Sequence, residues 1–164
     1  RPPEGQHLLE RAVELAPTHR LAHLYLTRHH VYGGRLAEAR AALDEHERVA
    51  PLFPWPYFVT LYRGIIHFGE GDFDTARAFF RRSTEQNPDY PYGWLARLLL
   101  AMLSGDSSEA REAAIALKER DGQDSLALQI ARIRHSYPDT SLAETLTESL
   151  RSAWSLCDSD PSAP

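Results

Sequence analysis

The chain has 164 residues, of which 43% are hydrophobic and 25% are charged, a balance typical of a globular domain with enough length for a core. Its net charge of −5 and the lack of a basic cluster in the sequence disfavour direct nucleic-acid contact from this segment. A single cysteine, Cys157, excludes a disulfide framework within one chain. No apolar run is long enough to span a bilayer, so we expect a cytoplasmic protein without a membrane segment.

The first element in chain order is an amphipathic segment from Gln6 to Pro17. It predicts the second helix of a truncated helical hairpin, over residues 5–19. This interpretation implies that at least one more helix precedes Arg1. We therefore expect the chain to be part of a longer protein.

A short phrase then recurs along the chain: a glycine, a turn-forming or acidic residue, an Ala-Arg pair and a helical pattern. The copies begin at Gly34, Gly71 and Gly105, and the last two glycines are 34 residues apart. The insertion Pro54-Trp55-Pro56 lengthens the first interval by three residues. Repeats of this length are helical hairpins that bury a core only by stacking. The sequence therefore predicts hairpin units over residues 20–53, 57–90 and 91–124.

Within the unit 57–90, small residues mark the place where the two helices cross. Gly64 and Ala76 allow the helices to approach closely, and Phe80 fills the gap one turn later. Pro88 ends the second helix because it lacks an N–H and clashes with the preceding turn.

The period is lost after residue 124. An amphipathic helix is predicted over residues 125–135, followed by a break at Tyr137-Pro138-Asp139. A capping box, Ser141 to Glu144, begins a last helix over residues 141–156. We expect its apolar stripe to pack on the repeats as an end cap or to turn back onto them, and this stripe consists of Leu142, Leu146, Leu150 and Trp154. Residues 158–164 are expected to be a disordered tail, and residues 1–157 a single domain.

Potential chemical sites have simpler structural explanations. His19 and His23 are one helical turn apart, but no Cys or Glu completes a metal site at helical spacing, so no metal is expected. We interpret His23, His30 and His67 as residues that pack between helices. Asp72 and Asp74 lie at a turn and helix start, where acids are favoured, and Glu109 and Glu112 are assigned to a solvated face. No nucleophile lies beside a plausible base, so neither a catalytic residue nor a cofactor is predicted.

The repeated pattern resembles the tetratricopeptide repeat. Gly64, Ala76, Phe80 and Pro88 occupy its eighth, twentieth, twenty-fourth and thirty-second positions, and Trp94 the fourth position of the next unit. The resemblance implies an all-α, right-handed α-solenoid of antiparallel helix hairpins, with the last helix as a C-terminal cap. Thr27 and Leu98 depart from the pattern, because they replace the glycine at the eighth position.

The resemblance also implies a concave groove lined by the first helix of each unit. The implied partner-binding residues are largely apolar and aromatic: Leu21, Leu24, Tyr25, Arg28, Phe58, Leu61, Tyr62, Ile65, Tyr92, Leu95 and Leu99. Exposed apolar patches of this size are rare in monomers, so we expect the last helix, a second copy or a further domain to cover the groove. The alternative is that these residues simply form the core.

A narrower resemblance involves Ala131-Arg132-Ile133-Arg134, Tyr137-Pro138 and Leu150-Arg151-Ser152-Ala153. This segment is similar to the end of tetratricopeptide regions in bacterial winged-helix transcriptional regulators and class III nucleotide cyclases. It implies a non-catalytic interaction or oligomerisation module of a larger regulator, whose partner is a protein or peptide with an apolar or amphipathic face, or a second copy of the chain. The alternatives are an accessory domain of a nucleotide cyclase and a sensor of an apolar ligand.

Overall fold

A computed structural model describes residues 2–121, 125–136 and 140–158, and every regular element within this part is an α-helix. The predicted all-α fold class is therefore confirmed. The helices are α1 Pro2–Leu15, α2 Arg20–Tyr32, α3 Leu36–Val49, α4 Pro56–Gly69, α5 Phe73–Gln86, α6 Pro91–Ser104, α7 Ser107–Asp121, α8 Ser125–Ser136 and α9 Thr140–Asp158.

The chain divides into two compact units, Arg1–Gln86 and Asn87–Pro164. In the first unit, α2 pairs with α3 and α4 pairs with α5, while α1 packs on α2. In the second unit, α6 pairs with α7, and α9 contacts α6, α7 and α8. The paired helices are the hairpins that the recurring phrase predicts.

The turn inside each hairpin depends on the glycine that opens the recurring phrase. Gly34, Gly71 and Gly105 have φ angles of 70°, 82° and 70°. This left-handed conformation is accessible to glycine without a steric penalty from Cβ. Proline begins the helices after the linkers, since Pro56 and Pro91 are the first residues of α4 and α6, where a missing N–H costs no helical hydrogen bond.

The predicted helix crossing in residues 57–90 is confirmed. A Cβ atom on Gly64 would lie 2.5 Å from the Phe80 ring, which is far inside van der Waals contact. Ala76 is fully buried, and Phe80 is 2% exposed. The backbone of α4 thus approaches α5 where glycine leaves room for the ring.

The last helix packs as predicted. Leu146, Leu150 and Trp154 are buried in one core cluster with Leu98 of α6 and Leu117 of α7. Because α9 contributes these three members of its predicted stripe to this core, it is an integral part of the second unit. Each such side chain contributes on the order of 2 kcal/mol of burial free energy. The side chain of Leu142, the first member of the stripe, lies outside the described residues.

Several predicted boundaries differ from the observed ones. Helix α1 ends at Leu15 rather than near Pro17, because a residue before proline disfavours helical backbone. Helix α9 begins at Thr140 and ends at Asp158, so it starts one residue before the predicted Ser141, and Asp158 is helical rather than part of the tail. The side chain of Ser141, which begins the predicted capping box, lies outside the described residues. The predicted break at 137–139 and the tail residues 159–164 lie outside the described residues.

Candidate functional site

In the first unit, the predicted groove positions on α2 and α4 come together, since these two helices are neighbours. Their exposure varies widely. Leu24, Leu61 and Tyr62 are buried, with exposed fractions of 3–6%. Leu21, Phe58 and Ile65 are half-buried and pack against the core, whereas Tyr25 is 51% exposed. The predicted lining is therefore partly core and partly accessible surface.

Arg28 supplies the positive charge of this surface. It is half-buried on α2, and its guanidinium carbon lies 5.5 Å from the centre of the Tyr32 ring, within the distance of a cation–π interaction. The ring limits the conformations of a long side chain, which lowers the entropy that a partner must remove on binding. We call the partly exposed set Leu21, Tyr25, Arg28, Phe58 and Ile65 the α2–α4 face.

In the second unit, the predicted groove positions lie against helices of the same unit. Leu95 is 6% exposed and belongs to the core cluster that contains Leu150 of α9, and Leu99 packs against that cluster. Tyr92 is half-buried, with the guanidinium carbon of Arg132 5.6 Å from its ring centre. Helices α8 and α9 thus cover much of the apolar lining of α6, which agrees with the expectation that the last helix covers part of the groove.

The position of Glu109 shows that one prediction from the sequence is wrong. It does not lie on a solvated face: its side chain is 5% exposed and accepts a hydrogen bond of 2.6 Å from Arg97, which is itself 8% exposed. Glu112 is exposed, as predicted, and it also accepts a hydrogen bond from Arg97, at 2.8 Å. The other side of the guanidinium lies over the Trp94 ring, 4.5 Å from its centre. This cluster holds α6 against α7, so its role is structural.

The histidines serve packing in the first unit. His23 and His30 are buried, as predicted, at 4% and 6% exposure. His19 precedes α2, and its side chain accepts a hydrogen bond from the Ala22 amide at 3.2 Å. His67 is partly buried and stacks on Phe79. In the described part of the chain, no group of three or more metal-ligating side chains comes together.

Sequence reasoning missed His46, which is fully buried. Its Nδ1 lies 2.8 Å from the carbonyl oxygen of Arg20, and a carbonyl only accepts, so Nδ1 carries the proton and donates. Burial is the main cause that lowers the pKa of His46 below its ordinary value, because a charged imidazole loses its hydration there. The only signal in the sequence is its position on α3, one turn after Leu43 with its side chain on the same face.

Asp72 also has a structural role, as expected. One of its carboxylate oxygens accepts a hydrogen bond from the Thr75 amide at 3.3 Å, and the other lies 3.1 Å from Nδ1 of His67. These hydrogen bonds lower the pKa of the Asp72 carboxyl group, with the Thr75 contribution the largest.

Two family models, both described as tetratricopeptide repeat, match the chain over residues 1–52 and residues 67–146. Together the two matches cover most of its length. These two ranges therefore contain tetratricopeptide repeats, and the hairpins fit the helical solenoid that such repeats form. No match was found among curated proteins.

The repeats indicate a class of function. Tetratricopeptide domains are generally non-catalytic scaffolds for protein–protein interaction. Among the described helices, none combines the length and apolar character that crossing a bilayer requires.

Proposed function

We propose that this chain is a non-catalytic interaction module of a larger bacterial regulatory protein, a transcriptional regulator, and that the α2–α4 face binds its protein partner. The partner presents an apolar or amphipathic surface, either on another protein or on a second copy of this chain. The resemblance of residues 131–134 and 150–153 to regulator sequences supports the transcriptional context.

The observation that carries this proposal is the exposure of Tyr25. It is 51% exposed, whereas the other predicted groove residues, in both units, are buried or half-buried. The half-buried Leu21 lies one helical turn before it on α2. Tyrosine and arginine are the residue types most enriched at binding hot spots, and both occur here next to aliphatic side chains.

The α2–α4 face also indicates the chemistry of the partner. Aromatic and aliphatic groups favour an apolar insert, and Arg28 favours an acidic group at its edge. An amphipathic helix with one carboxylate beside its apolar stripe has both features. A partner without an acidic group would have to leave Arg28 in contact with water, because burying its charge without a counter-charge weakens association.

The test uses three forms of the full chain as bait in extracts of the source organism: the parent, Tyr25→Ser/Arg28→Ser, and the control Leu128→Ser/Arg134→Ser. The control removes one exposed apolar side chain and one exposed arginine from α8. Quantitative mass spectrometry measures the captured proteins, and light scattering measures the mass of each bait.

We expect the amount of captured partner to fall at least about tenfold with the α2–α4 variant and to stay unchanged with the control. If the partner is a second copy of the chain, the variant should have the mass of a monomer and the control the mass of a dimer. Equal capture by all three baits, with equal masses, would contradict the assignment of this face. A partner from nucleotide signalling rather than transcription would favour the cyclase alternative.

A further inference from the structure

A second candidate site is an open cleft of about 490 Å³ in the first unit, formed by the end of α3, the linker after it, and helices α4 and α5. On α4 the cleft is lined by Pro56, Val59, Thr60 and Arg63. With about 100° of rotation per residue, these positions lie roughly 160° around α4 from Phe58, Leu61, Tyr62 and Ile65. The cleft and the α2–α4 face are therefore on opposite sides of the same helix.

Half of the residues that line the cleft are apolar, and Pro51, Phe53, Val59 and Phe79 are among them. Phe53 is held in place by edge-to-face contacts with the rings of His46 and Trp55, at centroid distances of 4.7 and 5.4 Å. The apolar wall that the linker contributes is thus braced before any ligand binds, which lowers the ordering cost of binding. Its volume is in the range of sites that hold small ligands or single peptide side chains.

The charged groups at the cleft are two arginines, Arg63 and Arg82, and the two carboxylates that pair with Arg63. Glu47 and Arg63 form an ion pair across one side, and Arg63 also binds Asp44 at 2.5 Å. Arg82, on α5, is exposed and has no carboxylate partner among the described residues. It is therefore the group on this lining that can pair with a carboxylate from outside.

We propose that this cleft is a second protein-binding site, which takes a short acidic peptide segment of a partner protein. The segment inserts an aromatic side chain between Phe53 and Phe79, and its neighbouring carboxylate pairs with Arg82. The apolar part of the walls selects the aromatic group, and the charge of Arg82 selects the acid. This site does not depend on the α2–α4 face, because it uses other residues on the other side of α4.

The experiment is a titration of the isotope-labelled full chain with three peptides, followed by amide NMR. The probe is acetyl-Gly-Ser-Asp-Trp-Leu-Ser-Gly-amide, and the two comparison peptides replace Asp by Asn or Trp by Ser. The variants are Arg82→Gln, which removes the charge, and Gln86→Trp, which fills the cleft from an exposed position at the end of α5. Arg134→Gln is the matched control, since it removes an exposed arginine from α8.

We expect the Asp-Trp peptide to shift the amide signals of Val59, Arg82 and Gln86, with a Kd between roughly 10 μM and 1 mM. The Asn peptide should bind about threefold or more weakly, as expected when one accessible ion pair is lost, and the Ser peptide should not bind. Arg82→Gln should lower the affinity for the Asp peptide to the value for the Asn peptide. Gln86→Trp should abolish binding, and Arg134→Gln should leave it unchanged.

Three results would overturn the proposal. The first is no shift with the parent chain up to roughly 1 mM peptide. The second is equal binding of the Asp and Asn peptides, or binding that survives both cleft variants. The third is a shift of the amide signals of Tyr25 and Phe58 instead of those of Val59 and Gln86. This result would show that the peptide binds the α2–α4 face and not the cleft. Loss of the cleft signal alone leaves the proposed function intact.

Discussion

The buried pair of Arg97 and Glu109 offers the sharpest test of the second unit. The substitution Glu109→Gln removes one charge from a pair whose side chains are only 8% and 5% exposed. Leaving one buried charge without its partner costs about 3–5 kcal/mol. Arg97 keeps Glu112 at 2.8 Å, but that side chain is 59% exposed, so it offsets only about 1 kcal/mol. We therefore expect the free energy of unfolding to fall by about 2–4 kcal/mol.

The measurement is urea denaturation followed by tryptophan fluorescence in a Trp55→Phe background. The chain has three tryptophans, and the remaining two, Trp94 and Trp154, both lie in the second unit. The signal then reports this unit by itself, which matters because a chain with two units need not unfold in one step.

Two control variants separate the buried pair from general damage. Glu112→Gln should cost no more than about 1 kcal/mol, because its carboxylate is solvated. Arg97→Met/Glu109→Leu removes both charges together and should be clearly more stable than Glu109→Gln, since neither charge is then left unpaired. If Glu109→Gln is within about 0.5 kcal/mol of the parent, the buried ion pair does not hold α6 against α7 as described.

Three further predictions test the rest of the fold. Gly64→Ala should lower the free energy of unfolding of the first unit by about 1–3 kcal/mol, because its Cβ would lie 2.5 Å from the Phe80 ring. Urea denaturation followed by the fluorescence of Trp55, in a Trp94→Phe/Trp154→Phe background, measures this unit. Gly64→Ala/Phe80→Leu should recover part of the loss, and no loss in Gly64→Ala would contradict the crossing. Burial lowers the folded-state pKa of His46, so the unfolded chain binds the proton more readily than the folded chain. The free energy of unfolding should therefore fall as the pH drops below about 6.5. His46→Gln should show a shallower fall in this free energy between pH 7 and 5.5, and an equal slope would contradict a buried neutral His46. Deletion of everything after Pro138 removes α9, including the fully buried Leu150. The truncated chain should bind more of an apolar dye and should self-associate, because its core is then exposed. A truncated chain that is monomeric, does not bind the dye and is equally stable would contradict the packing role of α9.

Local and periodic signals in the sequence predict that the helices exist, how they pair and where they cross. Gly34, Gly71 and Gly105 predict the turns because they allow positive φ at little cost, and all three have it. Gly64 and Phe80 predict the crossing because a small and a large residue must face each other there, and the structure places them in contact. These signals are local or periodic, so they can be read before the chain is folded.

The burial of charged and polar groups could not be predicted in this way. Glu109 has the sequence context of a solvated acid, and only the packing of α6 on α7 brings Arg97 to it. His46 has no distinctive neighbour in sequence, and the Arg20 carbonyl that orients it is 26 residues away. Both outcomes depend on contacts distant in the chain, where desolvation and pairing decide the protonation state and the cost of a charge.

The extent of the candidate binding surface was also decided by tertiary structure. The repeat pattern assigns Tyr25 and Tyr62 to the same position on the first helices of two successive units, but it does not say what covers them. Tyr62 is 5% exposed, whereas Tyr25 is 51% exposed. A periodic sequence defines which side of each helix is apolar, and only the folded chain determines whether that side meets another helix or remains available to a partner.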